Sequence, residues 1–351
     1  MGAASYRVEC PNRTSLAHPL EEASAPRTAS WQRELRDAVR EIGELEQLLA
    51  LPAGSLRDGA SPAPEFPLLV PRSFVDRMRK GDPLDPLLRQ VLPTRAEDAR
   101  IAGFGPDPLG ERGLARHGSI LKYPGRALLI TTGACPVHCR YCFRREFSYA
   151  DQTAARDDWE PALQAIRATP GVREVILSGG DPFCLSNERL GRLISRIEAL
   201  PGVESLRIHT RFPIVLPSRV EAGLVEILAG TRLDTIVVVH ANHPAEIDES
   251  VRAAATALKH CTDYLLNQSV LLRGINDDVE TLIRLGERLR RSGIVPYYLH
   301  LLDRVSGAAR FEVAEHEAVA LVAAMRRQAP GYLVPTLVRD EAGELSKTPF
   351  V

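Results

Sequence analysis

Three cysteines fall within eight residues, in the run Cys135-Pro-Val-His-Cys139-Arg-Tyr-Cys142. A Cys-x3-Cys-x2-Cys spacing gives three soft thiolates to one loop, and thiolates bind both zinc and iron–sulfur clusters. Structural zinc takes four ligands, whereas the other cysteines, Cys10, Cys184 and Cys261, are scattered along the chain. Three thiolates on a cubane cluster leave one iron open to a small molecule. Spacing alone favours a cluster, with zinc or no metal as the alternatives. A second concentration of chemistry is Ser178-Gly179-Gly180-Asp181-Pro182, where paired glycines permit close backbone approach and the aspartate offers a charge for an ammonium group. Polar groups then recur at intervals: His209-Thr-Arg211, His240-Ala-Asn242-His243, Asn267-Gln268-Ser269 followed by Arg273, and Asp303. Lysine occurs only at Lys80, Lys122, Lys259 and Lys347, so a reaction that needs a lysine amine has four candidates.

These groups sit at the ends of apolar runs. ALLITTG (127–133), EVILSGG (174–180), SLRIHT (205–210), DTIVVVH (234–240), DYLLNQSVLL (263–272) and VPYYLHLLD (295–303) predict strands. Helices are predicted after them around 159–168, 187–199, 219–229, 247–259, 279–291 and 313–328. Six strand–helix units imply a parallel sheet with right-handed crossovers, and the apolar runs predict strands buried on both faces. A doubly wound sheet and a curved, incomplete barrel both fit. In either fold the C-terminal strand ends carry the site. Residues 1–28, rich in Pro, Ser, Thr and Ala, predict a flexible tail, and residues 29–110 a helical N-terminal region and linker. Within the latter, a helical period runs through Trp31, Leu35, Val39, Ile42, Leu45 and Leu49. Residues 52–67 are Pro- and Gly-rich, a short helix is expected after Ser73, and Thr94-Arg95-Ala96-Glu97 has capping-box spacing.

The 351 residues carry a net charge of −1, with 44% hydrophobic and 25% charged residues, which is ordinary globular usage. Near-neutral charge and 5% aromatic residues argue against a nucleic-acid binder. No run approaches the ~18 apolar residues of a membrane span. The start, MGAASYRVEC, has neither the basic nor the apolar region of a secretory signal, so a cytoplasmic location is expected. Six cysteines are too few for a disulfide scaffold.

Cys-x3-Cys-x-aromatic-Cys after the first strand, with Gly-Gly-Asp-Pro after the second, resembles the radical S-adenosylmethionine (SAM) superfamily. The resemblance implies a partial (β/α)6 barrel over 111–340. It also implies a [4Fe–4S] cluster on Cys135, Cys139 and Cys142, with SAM chelating the open iron. SAM would be bound by Tyr141 against the adenine and by Ser178, Gly179, Gly180, Asp181, His209 and Gln268. Finer resemblance is to the lysine 2,3-aminomutases, through PGRALLITTGACPVHCRYCFRR, SGGDP, HANHP, LLNQSVLLRGIND, PYYLHLLD and GYLVPTLVRDEAGELSKTP. It implies pyridoxal 5′-phosphate as a third cofactor, with Lys347, in a C-terminal segment 341–351, as its Schiff-base lysine. Lys122, Tyr123 and Arg126 would flank the pyridoxal ring or phosphate, Arg144 would grip the substrate carboxylate, and Asp303 and Asp340 would take the ε-ammonium. Lys122 stands where the family has arginine, and His300 where it has tyrosine.

The implied reaction converts L-α-lysine to β-lysine, expected as the R enantiomer. A 5′-deoxyadenosyl radical takes hydrogen from C3, and nitrogen migrates from C2 to C3. The 70–93 segment, LLDRVSGAARF and the short C-terminus resemble the branch that serves β-lysylation of elongation factor P. The implied partners are therefore elongation factor P, its lysyl ligase, and a reductase or flavodoxin-type electron donor. The alternatives are an aminomutase acting on glutamate or another amino acid, a radical enzyme without pyridoxal phosphate, and a non-enzymatic iron–sulfur or zinc protein.

Overall fold

The computed structural model describes residues 30–57, 59, 66–149 and 158–350. The expected tail at 1–28, Cys10 and most of the 52–67 linker lie outside the described residues. Ten strands form one sheet in chain order, so each new strand adds at the growing edge. They are β1 (Ala115–Arg116), β2 (Ser119–Ile120), β3 (Arg126–Thr132), β4 (Glu174–Gly179), β5 (Ser205–Thr210), β6 (Asp234–Val239), β7 (Tyr264–Val270), β8 (Val295–His300), β9 (Thr336–Arg339) and β10 (Thr348–Pro349). From β3 to β9 every neighbouring pair is parallel, and short antiparallel pairs cap both edges. The first and last strands do not pair, so the sheet is open rather than a closed barrel.

The helices are Glu160–Ala168, Asn187–Glu198, Ala222–Gly230, Glu249–Lys259, Val279–Arg291 and Glu315–Gln328. Three of these six starts carry a side-chain cap. Ser186, Asp248 and Asp278 each accept a backbone N–H of the first turn, at 3.3, 2.9 and 2.8 Å. Each helix lays an apolar stripe on the sheet, as with Leu190, Leu193, Ile194 and Ile197.

The six expected strand–helix units are present, and a seventh parallel strand, β9, follows them. Burial on both faces by apolar residues does not hold throughout. In β5, Leu206 and Ile208 are fully buried under the helices, whereas Arg207 and His209 alternate with them and face inward. The inner face borders a polar cavity, so it carries polar side chains. The helical period from Trp31 to Leu49 is likewise broken in two, Ser30–Arg36 and Ile42–Leu48, because Val39 leaves the helix to pair with Val70.

The N-terminal region clasps the cysteine loop. His138 N–H donates to the Leu69 carbonyl at 3.0 Å, and Arg140 N–H to the Gln90 carbonyl at 2.9 Å. The capping-box sequence forms only a 3-10 turn, Arg95–Glu97, and its glutamate has a larger task. The buried Glu97 carboxylate pairs with Arg140, whose Nε lies 3.0 Å away, with Arg145 at 2.9 Å and with Arg310 at 3.3 Å. Burial alone would raise its pKa, but Arg140, then Arg310 and Arg145, hold it below the usual carboxylate value.

Breaking such a buried cluster from one side leaves uncompensated guanidinium groups, at about 3–5 kcal/mol. Glu97→Gln should lower unfolding stability by that order in urea titration, whereas a change within about 0.5 kcal/mol, as at an exposed pair, would contradict it. A depressed carboxylate contributes above its unfolded pKa and loses that contribution as pH falls through the folded value. The gap between wild type and variant should therefore narrow in acid.

Candidate functional site

A cavity of about 390 Å³ opens at the C-terminal strand ends and is lined from β2, β3, β4, β5, β7 and β8, with His240 entering just past β6. One wall is the cysteine loop. Gly133 turns the chain out of β3, where an added Cβ would lie 2.8 Å from the Tyr149 side chain. Cys135, Cys139 and Cys142 all line the cavity. Burial, then the neighbouring thiols Cys184 and Cys142, pushes Cys135 well above its usual pKa; burial and Cys139 push Cys142 up to about 11. Such thiols ionise only if a strong positive centre is supplied, as metal coordination does. Among the described residues no three His, Cys, Asp or Glu groups converge on a single-ion site. Three thiols carried by one loop can each supply a thiolate to a polynuclear iron–sulfur cluster. Cys184, scattered in sequence, folds back beside Cys135, and Cys261 is buried in the core.

Next to this loop lies the Gly179–Gly180 ledge. Gly179 has φ +115°, and a Cβ on Gly180 would sit 2.2 Å from the Ala134 carbonyl oxygen. The glycines let the end of β4 press against the cysteine loop, with Gly180 N–H donating to Thr132 and Asp181 N–H to Ala134, each at 2.7 Å. Asp181 departs from its expected part. Its carboxylate already accepts from Thr210 Oγ1 and Arg211 N–H at 2.7 Å and from Phe183 N–H at 3.0 Å. It ties two strand ends together instead of offering a free charge to a ligand ammonium. Ser178 Oγ accepts from Arg144 Nη1 at 2.7 Å.

The floor is a row of imidazoles. Gln268 Nε2 lies 3.4 Å from His209 Nδ1 and 3.2 Å from His240 Nε2. The Nε2 atoms of His209 and His300 are buried without a partner among the described residues, so both are free to meet a ligand. Burial drives both pKa values well below the usual imidazole value and lowers His240 to about 3, so these rings are neutral. Tyr141 lines the cavity with its hydroxyl tied to Gln90 at 3.2 Å and Asn242 at 2.6 Å.

The opposite wall concentrates charge. Asp340, just past β9, accepts from Lys347 Nζ at 2.7 Å and Tyr123 OH at 2.8 Å, and pairs with Lys122 on the same oxygen as Tyr123. Burial opposes its ionisation, but Lys347 and Lys122 outweigh burial and hold the carboxyl well below its usual range. Asp303 also faces the cavity, with no donor bonded to its carboxylate among the described residues. Burial, and then the charge of Asp340, pushes its pKa up to about 7. Arg126 stacks over the Tyr123 ring at 5.2 Å. The Arg144 guanidinium meets Glu111 through two bonds of 2.7 and 2.9 Å and Ser178 through Nη1, which leaves one N–H on each Nη for a ligand.

Adjacent Arg145 turns away to Glu97, so the structure separates two arginines that sequence alone confuses. Arg273 also stays outside, pairing with Glu317 and Asp277, while Asn267 and Ser269 bond to the backbone at Ala241. Lys80 and Lys259 are exposed. Sequence reasoning missed Glu111, which no pattern marks, and Arg207, whose signal was its two-residue step from His209 along β5.

Residues 129–286 match the family model of the radical SAM superfamily. Over 95% of its length the chain is 45% identical to the L-lysine 2,3-aminomutase of Escherichia coli, of which the match covers 98%. It is 42% identical to the L-lysine 2,3-aminomutase of Haemophilus influenzae, over 91% of this chain and 95% of that one. The enzyme of the same name from Clostridium subterminale is 33% identical over 92% of this chain and 77% of its own. A radical SAM methyltransferase from Sphaerobacter thermophilus superposes with a TM-score of 0.47 at 15% identity, over 63% of this chain and 68% of that one. The chain therefore belongs to the lysine 2,3-aminomutase family within the radical SAM superfamily, isomerases whose chemistry implies a [4Fe–4S] cluster and S-adenosylmethionine.

Proposed function

We propose that the chain is a pyridoxal-phosphate-dependent lysine 2,3-aminomutase that makes β-lysine for the modification of elongation factor P. The observation that carries the proposal is one cavity with three thiols on one wall and an amine–carboxylate cluster on the other. Cys135, Cys139 and Cys142 would hold the [4Fe–4S] cluster, and Lys347 the pyridoxal aldehyde, with Lys122, Tyr123 and Arg126 beside it. When bound, the cluster supplies the electron that cleaves SAM, and pyridoxal phosphate supplies a ring that delocalises an unpaired electron.

The protein's own groups do the remaining work. Tyr141, Ser178, His209, Gln268 and the Gly179–Gly180 ledge are assigned to SAM, and Asp181 acts by holding that ledge. Arg144, fixed by Glu111, presents its free edge to the substrate carboxylate. Asp303 and Asp340 take the ε-ammonium. Asp340 would exchange an amine partner for the substrate, since Lys347 and Lys122 occupy it otherwise. The same two carboxylates repel the side chain of glutamate, so selectivity includes a repulsive element. The elongation factor P assignment rests on the likeness of the 70–93 and LLDRVSGAARF segments to that branch. A strain lacking this protein should carry elongation factor P without β-lysine, and full β-lysylation by mass spectrometry would refute the assignment.

Lys347→Ala should keep iron and visible cluster absorption but lose pyridoxal that borohydride can fix covalently. Trapping mapped to Lys80, Lys122 or Lys259 would overturn the Lys347 assignment.

Asp303 gives a pH signature. With its pKa at about 7 it is half ionised near neutrality, and only the ionised form attracts an ammonium. The KM for lysine should therefore fall as pH rises from about 6 to 8, and that limb should vanish in Asp303→Asn. Losing one partner of a buried charge pair costs about 2–5 kcal/mol, on the order of 30- to 3000-fold in kcat/KM. A variant with near-normal kcat/KM and an unchanged pH profile would exclude Asp303 from substrate binding.

A further inference from the structure

We infer that Arg211 is a positioning residue for electron uptake, its guanidinium raising the reduction potential of a cluster held by the three-thiol loop. The inference rests on the assignment of Cys135, Cys139 and Cys142 to a [4Fe–4S] cluster. Arg211 Nη1 lies 2.6 Å from Cys139 Sγ. The group cannot swing away. Its Nη2 donates to Gln90 Oε1 at 2.8 Å and Glu246 Oε2 at 3.0 Å, and its backbone N–H is anchored on Asp181 at 2.7 Å. Its Cζ lies 5.6 Å from the centre of the ring of Tyr141, a residue between Cys139 and Cys142 in sequence. Of the other arginines lining the cavity, Arg144 and Arg207 are each bound in two-pronged fashion to glutamates, and Arg126 lies over the Tyr123 ring. Among the described residues none of these three donates to a cysteine sulfur.

Reduction adds one electron, and so one unit of negative charge, to the cluster. Hydrogen bonds and cations at the ligand sulfurs stabilise that state and raise the potential. In a buried site the effect is weakly screened by solvent and salt. Glu246 opposes it. This fully buried carboxylate also accepts from Gln90 Nε2 at 3.1 Å and from the backbone N–H groups of Asn242 and His243 at 2.8 and 3.0 Å. The Arg211–Glu246 pair thus sets a balance in which each partner pulls the potential in its own direction.

The test is a potentiometric titration of the reconstituted full-length protein without SAM, followed by electron paramagnetic resonance of the reduced cluster. Arg211→Gln should lower the reduced-to-oxidised ratio about tenfold at a fixed ambient potential, which for one electron is 59 mV. Glu246→Gln, whose oxygen still accepts from Asn242 and His243, should move the ratio the opposite way. Arg211→Lys, which keeps the charge without the fork, should fall between wild type and Arg211→Gln. Iron content should match wild type throughout. If Arg211→Gln does not fold, the upward shift in Glu246→Gln decides. Potentials that stay put, or that move in one direction in both variants while iron is retained, overturn the inference. A wild-type protein that takes up no cluster refutes the thiol assignment instead.

Discussion

The sheet does not close on itself, and one carboxylate joins the two ends of its parallel run across the cavity. Lys122 and Tyr123 lie between β2 and β3 at one end of the parallel run, and Asp340 follows β9 at the other. Their contacts, with Lys347 added from the C-terminal segment, do by charge pairing what a closing strand pair does in a full barrel. A single acidic group with two cations is stable where it is half-buried, and the interaction is directional enough to hold two distant strands in register with the site. Its partners are also the groups assigned to cofactor and substrate. Ligand binding and closure of the seam therefore draw on the same few atoms.

The same constraint, that a dry cavity tolerates charge only when it is answered, explains the remaining architecture. Arg144 is met by Glu111 and Arg207 by Glu174, and the histidines are driven neutral by burial. Asp303 is the exception: among the described residues no donor meets its carboxylate, and burial raises its pKa. The thiol loop is held from outside by the N-terminal region through Glu97 and Arg140, so a segment that lies mostly outside the cavity fixes the thiol wall.

Much of this was legible in the sequence, and for physical reasons. The six long strands and their helices announce themselves by apolar runs and capping residues, and the thiol loop by spacing that few other structures require. The edges were not legible. β1 and β2 have two residues each around a left-handed His117-Gly118 turn, and β9 has four, too short for a period to register. Lys347 and Asp340 were reachable only through resemblance, because nothing local distinguishes a lysine near a chain end from a solvated one. Asp181 reads in sequence as a free charge after two glycines, and its contacts at the end of β5 and in its own turn, three in all, are visible only in the fold.

The central claim is that the thiol wall and the amine–carboxylate wall act together on one cationic amino acid. Its most direct test is anaerobic incubation of the cluster-reconstituted, pyridoxal-phosphate-loaded protein with L-lysine, S-adenosylmethionine and dithionite, followed by chiral identification of the product. The account predicts β-lysine, with no comparable isomerisation of L-glutamate. S-adenosylmethionine cleavage that leaves lysine unchanged, or a preference for glutamate, would contradict it.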